Sequence, residues 1–140
     1  MPGLAYAVTP DPSPPAAVQL SPEKVAAAMR AFFQITALWR LSNEQAQVLL
    51  GRPARSTFYK WKRGRVSGVP HDTVRRLSYV LGIYKALQIL FKGPEQADAW
   101  VHRPNTAFGG GSACKRMLGG DVTDLAAVRR YLDVVRGQGA

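Results

Sequence analysis

Residues 41–65, LSNEQAQVLLGRPARSTFYKWKRGR, constrain this chain more than any other stretch. Ser42 is placed to cap the free N–H groups of a starting helix, and Gln45, three residues on, is placed to return the bond as in a capping box. Ala46, Leu49 and Leu50 then share one face, and Gly51 follows as a residue able to take the left-handed conformation that ends a helix. A second helix is expected from about Pro53, which a first turn tolerates because its missing N–H would have no partner there. On it, Phe58 and Trp61 have the spacing of a buried stripe, which turns Ser56, Thr57, Lys60 and Arg63 outward and leaves Arg55 and Tyr59 at the flank. Two short helices joined by a glycine turn, the second studded with cations, are the sequence form of a helix-turn-helix.

The cations are not spread evenly. Residues 40–65 hold seven basic side chains (Arg40, Arg52, Arg55, Lys60, Lys62, Arg63 and Arg65) against Glu44 alone, a local +6 in a chain of net charge +10. Residues 1–39 sum to zero and residues 66–140 to +4. Cations on the rim of a helix displace condensed counterions from a phosphate backbone while the helix reads base edges, so duplex DNA is the polyanion this arrangement suits. The expected DNA-binding residues are Arg52, Arg55, Ser56, Thr57, Tyr59, Lys60 and Arg63. The plain alternative is a solvated basic helix in an ordinary bundle.

The rest of the chain sets bounds. With 140 residues, 46% of them apolar, it can bury a core of one compact domain or two small subdomains. A single cysteine, Cys114, excludes an intramolecular disulfide framework and fits a reducing compartment. No apolar run approaches the ~20 residues needed to span a bilayer, and the N-terminus lacks the regions of a signal peptide, so a cytoplasmic protein with no membrane partner is expected.

Residues 1–20 carry Pro2, Pro10, Pro12, Pro14 and Pro15 among small side chains, a composition expected to give a disordered arm. Ser21 then caps a helix with Pro22 in its first turn, Val25, Met29, Phe32, Phe33 and Trp39 on its apolar side, and an end expected at Arg40 or Leu41. After a loop from Gly64 to Pro70, Asp72 is expected to cap a long helix running to about Phe91. Its apolar residues (Val74, Leu77, Val80, Leu81, Tyr84, Leu87, Phe91) spread wider than a one-sided helix needs, which fits a helix central to a bundle or covered by a partner subunit. Short helices are expected from Pro94 to Val101 and from Ser112 to Leu118, with Gly109, Gly110 and Gly111 keeping the connection between them extended. The last helix, near Thr123 to Arg136, puts Leu125, Val128, Leu132 and Val135 on one stripe, and Gly137, Gln138, Gly139 and Ala140 trail off as a polar tail. No segment shows sustained period-two alternation, so the fold class expected is all-α.

An enzymatic reading would make Cys114 a nucleophile beside Lys115 and Arg116, with His71 or His102 as base. One cysteine and two distant histidines with no orienting motif are the ordinary pattern of structural residues. No metal-ligand spacing occurs, and Gly109 to Gly111 lacks the context of a phosphate-cradling loop, so no catalytic residue, metal or cofactor is expected.

Residues 94–136, PEQADAWVHRPNTAFGGGSACKRMLGGDVTDLAAVRRYLDVVR, carry a more specific pattern. A helix ending in Trp100 leads to the Pro104–Asn105 turn, a Phe108–Gly109 segment, a short helix with Met117 and Leu118, a Gly120–Asp121 step and an amphipathic helix through Val128 and Leu132. In that order these elements resemble the toxin-binding domain of the Xre/MbcA/ParS antitoxins, and residues 41–65 look like that family's Xre-type helix-turn-helix. Two departures are Ala113 where the family commonly has Pro after Ser, and Gly119 plus Gly120 where one Gly usually precedes Asp.

The resemblance implies an antitoxin of a type II toxin–antitoxin system. Such antitoxins neutralise a RES-domain toxin that depletes NAD by blocking its active-site entrance with their C-terminal end, form homodimers, and repress their own operon by binding operator double-stranded DNA. The division implied is a Pro-rich arm over residues 1–20, a helix-turn-helix domain over 21–70 and a dimerisation and toxin-binding domain over 71–140. Toxin contact is carried over to the last helix and tail, at Arg129, Arg130, Arg136, Gly137, Gln138, Gly139 and Ala140. A stand-alone helix-turn-helix transcription regulator is the alternative; it accounts for the basic helix and leaves the C-terminal pattern unexplained.

Overall fold

A computed structural model of the chain describes residues 20–139, so the arm expected over residues 1–20 lies outside them except for Leu20, as does Ala140. The regular elements of the described residues are all helices: α1 (Pro22–Leu38), α2 (Asn43–Leu49), α3 (Arg55–Lys62), α4 (His71–Leu90), α5 (Pro94–Trp100), a 3₁₀ turn (Thr106–Phe108), α6 (Ala113–Met117) and α7 (Val122–Gly139). The all-α expectation holds for them, an isolated bridge between Pro104 and Ser112 being their extended pairing.

Helix α4 organises the rest. Thr73, Val74, Leu77, Val80, Ile83, Ala86 and Leu87 are buried around most of its circumference, against α1, α5 and α7. Its apolar breadth is therefore used inside the chain. The core is one contiguous cluster that runs from Met29, Phe32 and Trp39 of the α1 region through Leu49, Phe58 and Trp61 to Leu125, Val128 and Leu132 of α7.

The helix ends follow from local chemistry. Ser21 Oγ accepts from Lys24 N–H at the start of α1, and the capping box at α2 is formed, Gln45 N–H donating to Ser42 Oγ at 3.1 Å and Ser42 N–H to Gln45 Oε1 at 2.9 Å. Helix α2 closes with Gly51 left-handed at φ 90, Gly51 N–H reaching Val48 O and Arg52 N–H reaching Gln47 O. Helix α3 ends the same way at Gly64, φ 94. Helix α1 does so too, but with an arginine: Arg40 sits at φ 57, its N–H on Ala37 O and Leu41 N–H on Thr36 O, which stops the helix at Leu38 rather than at Arg40 or Leu41.

Four other expectations are corrected. Helix α3 starts at Arg55 rather than Pro53, because Arg52 is left-handed as well as Gly51 (φ 59) and Pro53 and Ala54 bring the chain back. Asp72 does not cap α4; Pro70 holds that position, and Asp72 lies within the first turn, where its carboxylate accepts from Arg76 Nε at 2.7 Å. Gly109 and Gly110 are left-handed rather than extended and close a tight loop, Asn105 N–H donating to Gly111 O and Gly110 N–H to Asn105 O. The polar tail is helical through Gly139, since nothing after Arg136 denies the next N–H its carbonyl four residues back.

Left-handed backbone costs a residue with a Cβ about 1–2 kcal/mol. Arg40→Gly should therefore stabilise the fold by about 0.5–1 kcal/mol, after allowing for the freer unfolded chain, and raise the thermal midpoint by a few degrees. Trp61→Ala, in the core, should cost about 3–5 kcal/mol, whereas exposed Lys60→Ala should change stability by less than about 0.5 kcal/mol; thermal and denaturant unfolding of the three variants measures all of these.

Candidate functional site

The buried side of α3 is fixed by aromatic packing. Phe58 is fully buried and meets Phe33 of α1 edge-on at 5.4 Å between centroids, while Trp61 is buried one turn further on. That orientation turns Ser56, Lys60 and Arg63 to solvent along the opposite side. Tyr59 is half-buried at one margin, edge-on to Phe58 at 5.1 Å, and Arg55 lies over its ring at 5.2 Å, a cation–π contact that leaves the guanidinium beside the row. Thr57, half-buried, stands at the other margin in a cleft shared with Pro53, Gly68 and Pro70.

Arg52 does not join this row. Its guanidinium rests against Gly120, with Nη1 only 2.7 Å from where a Cβ would stand. Lys62 is also diverted, donating to Asn43 Oδ1 at 2.6 Å and lying 6.0 Å from the Phe33 ring centroid. A cation count cannot separate Lys62, which ties α3 to α2, from Lys60, which is free.

In α7, Leu125, Val128 and Leu132 are buried as expected. On the flank towards α4, Arg129 spreads across Gly82, whose missing side chain leaves the room, and its Nε donates to both Asp133 oxygens at 3.1 and 3.3 Å. On the other flank Tyr131 stacks on Trp100 (6.1 Å, 16° between planes) and meets Phe108 at 5.4 Å. This trio joins α5, the 3₁₀ turn and α7. Trp100 and Phe108 stand out in the sequence, but Tyr131 lies off the Leu125–Val128–Leu132 stripe, and only closure of the glycine loop brings the three together. Arg130, Val134 and Gly137 are exposed and Arg136 is half-buried, so of the carried-over toxin contacts Arg130 and Gly137 are freely presented and Arg129 is engaged within the fold.

Three titratable groups are set by their immediate surroundings. The Asp121 carboxylate accepts from the Thr123 hydroxyl and backbone N–H, which, with the positive charge of Arg76, holds it below the usual carboxylate range. Burial pushes the Cys114 thiol up, away from the thiolate that a nucleophile needs. His102 Nε2 is 2.6 Å from Trp39 O. Among the described residues no cluster of three or more His, Cys, Asp or Glu side chains is arranged to hold a metal, and no helix is long and apolar enough to cross a membrane.

Residues 86–137, from the last turns of α4 through most of α7, match the Antitoxin Xre/MbcA/ParS C-terminal toxin-binding domain. The chain belongs to that antitoxin family. It is 52% identical over 114 residues to the uncharacterized protein y4oB of Sinorhizobium fredii, an alignment covering 81% of this chain and 88% of the relative. Within this antitoxin-family chain the matched segment holds the aromatic trio, the Gly119–Gly120–Asp121 turn and the exposed side of α7, while the basic row of α3 lies outside it.

Because the folded Asp121 carboxylate is the easier one to ionise, its contribution to stability is present above the ordinary carboxylate range and is lost as pH falls through its lowered folded value. Asp121→Asn should therefore lower the thermal midpoint at neutral pH. Its midpoint should converge with that of the parent chain in acid, and a melting series from neutral to strongly acidic pH measures the difference.

Proposed function

We propose that this protein is the antitoxin of a type II toxin–antitoxin pair, neutralising a RES-domain toxin that depletes NAD and repressing its own operon as a homodimer on operator DNA. One observation carries the reading: a single short chain joins an exposed basic row on α3 to a segment that matches a toxin-binding domain. A capped helix, a left-handed glycine turn and a second helix anchored by Phe58 and Trp61 support reading α2 and α3 as a helix-turn-helix. In this reading Ser56, Lys60 and Arg63 face the groove, with Arg55, Tyr59 and Thr57 at its edges. Residues 21–70 serve DNA and residues 71–140 serve dimerisation and toxin, a division of surfaces over one continuous core.

The toxin-contacting set is Arg129, Arg130, Arg136 and the segment Gly137, Gln138, Gly139 and Ala140, which enters the mouth of the toxin's active site. Arg130 and Gly137, both exposed, are offered directly, while Arg129 sets the pose of α7 through Asp133 and Gly82. The two-fold operator usual for such modules calls for a dimer. Most of the apolar surface of α4 is spent inside the chain, but Ile89 near its end is exposed, and with Leu38 and Val134 it is one of the exposed large apolar side chains available for that contact among the described residues.

If four to six phosphates are neutralised per dimer, the log of the operator affinity should fall against log salt with a slope of roughly −4 to −5. A mobility-shift titration measures it, and a flat response removes the DNA-binding reading. Arg55→Ala with Lys60→Ala should abolish repression of a reporter driven by the operon's promoter while leaving the toxin neutralised.

Deleting residues 136–140 should do the reverse, keeping operator binding and losing protection. The assay is growth and NAD content of cells co-expressing a RES-domain protein encoded beside this chain, at matched antitoxin levels. Full protection by the truncated chain defeats the pocket-blocking role. Repression without any protection by the full chain points to the stand-alone regulator.

A further inference from the structure

We propose that Arg52 is a positioning residue for α3 rather than a phosphate contact, and that its seat is Gly120, inside the toxin-binding segment; this rests on the reading of α3 as the DNA-reading helix. Gly51 and Arg52 are successive left-handed residues (φ 90 and 59), and the reversal they make carries the Arg52 side chain back from α3 to the turn before α7. There Nη1, Cζ and Nη2 of Arg52, which is itself exposed, lie 2.7, 3.5 and 3.5 Å from where a Cβ on Gly120 would stand, so the guanidinium lies against bare backbone and a side chain at Gly120 would displace it from this position. Gly120 itself is at φ 93. The paired glycines have separate reasons: a Cβ on Gly119 would fall 2.5 Å from Asp124 Oδ2, whose partner oxygen holds Arg116.

The same α2–α3 turn is gripped by Arg76 of α4. The Arg76 Nε, held by Asp72, lies 3.0 Å from where a Gly51 Cβ would stand, and Nη1 reaches towards Val48 O and Leu49 O at 3.5 and 3.4 Å. Helix α3 has eight residues and an N-cap, Ala54, with no side-chain cap bond. Beyond the packing of Phe58 and Trp61, its direction is therefore set by this turn, held by Arg76 and the Arg52–Gly120 contact, more than by its own start. A residue of the toxin-binding segment thus helps to aim the DNA-reading helix.

The test is operator binding by the full-length chain, Arg52→Ala, Gly120→Ala and the double variant, using a duplex of the operon's own promoter over a salt series, with thermal melts alongside. Each single variant should bind about 3–10-fold more weakly, the double variant no worse than the weaker single, and the slope of log affinity against log salt should be unchanged. Arg52→Lys should not restore binding, because an ammonium keeps the charge and loses the planar cover. A slope reduced by about one unit in Arg52→Ala, or additive losses in the double variant, overturns the proposal and returns Arg52 to the phosphates.

If Gly120→Ala fails to fold, Gly120→Asn, which tolerates left-handed backbone better, takes its place, and the salt slope of Arg52→Ala decides by itself. Lys60→Ala serves as control. Loss of binding in Lys60→Ala with none in Gly120→Ala sinks this inference alone, whereas a parent chain that binds no promoter DNA sinks the reading beneath it.

Discussion

Burial of α4 on most of its circumference is the constraint from which the rest of the structure follows. A helix that hides so much surface needs neighbours on several sides, and α1, α5 and α7 supply them. The costly exception is Arg76, a cation only 7% exposed. A buried guanidinium is tolerated when its donors are taken up, and here Asp72 and the carbonyls at the end of α2 do so. The group that α4 would otherwise have to expel instead fixes α2, and with it the start of α3, against the centre of the fold.

Around that centre the chain is punctuated by left-handed residues rather than long loops. Glycine takes most of these positions, but Arg40 and Arg52 do not have that freedom. Their local strain is held by closing hydrogen bonds at the ends of α1 and α2. Both lie in the most basic stretch of the sequence, where a cation is a natural surface residue and the backbone conformation is set by the neighbours. Charge and conformation are thus decided by different demands at the same residue, and Arg52 shows the result: its charge suggests one surface while its backbone directs it to another.

How much of this was legible depended on how local the cause is. The capping box at Ser42 and Gln45, the Phe58–Trp61 anchor and the buried stripe of α7 are set within a few residues, and the structure has them where periodicity and capping put them. The outward row on α3 followed from the same periodicity for Ser56, Lys60 and Arg63, but not for Thr57, which the cleft beside Pro53 and Pro70 half-buries. Arg52, Lys62 and Arg129 could not be placed that way, because their partners Gly120, Asn43 and Gly82 are distant along the chain and were chosen by packing. The glycine loop failed for a related reason: three consecutive glycines permit both an extended and a folded path, and Asn105 selects the folded one through backbone bonds at both ends. The length of α7 was underestimated because glycine weakens a final helical turn without forbidding it.

The continuity of the core from Phe32 and Phe58 to Leu132 bears on how such proteins diversify. A lineage that recombined the first half of one gene with the second half of another would place the joint next to a helix both halves use, and the hybrid would have to satisfy two sets of contacts on α4 at once. Exchange of whole parts is therefore a poor route to new combinations of the two surfaces. Stepwise substitution on the solvent sides of α3 and α7 leaves the shared centre untouched, so those two surfaces can change in a protein whose halves cannot be inherited separately.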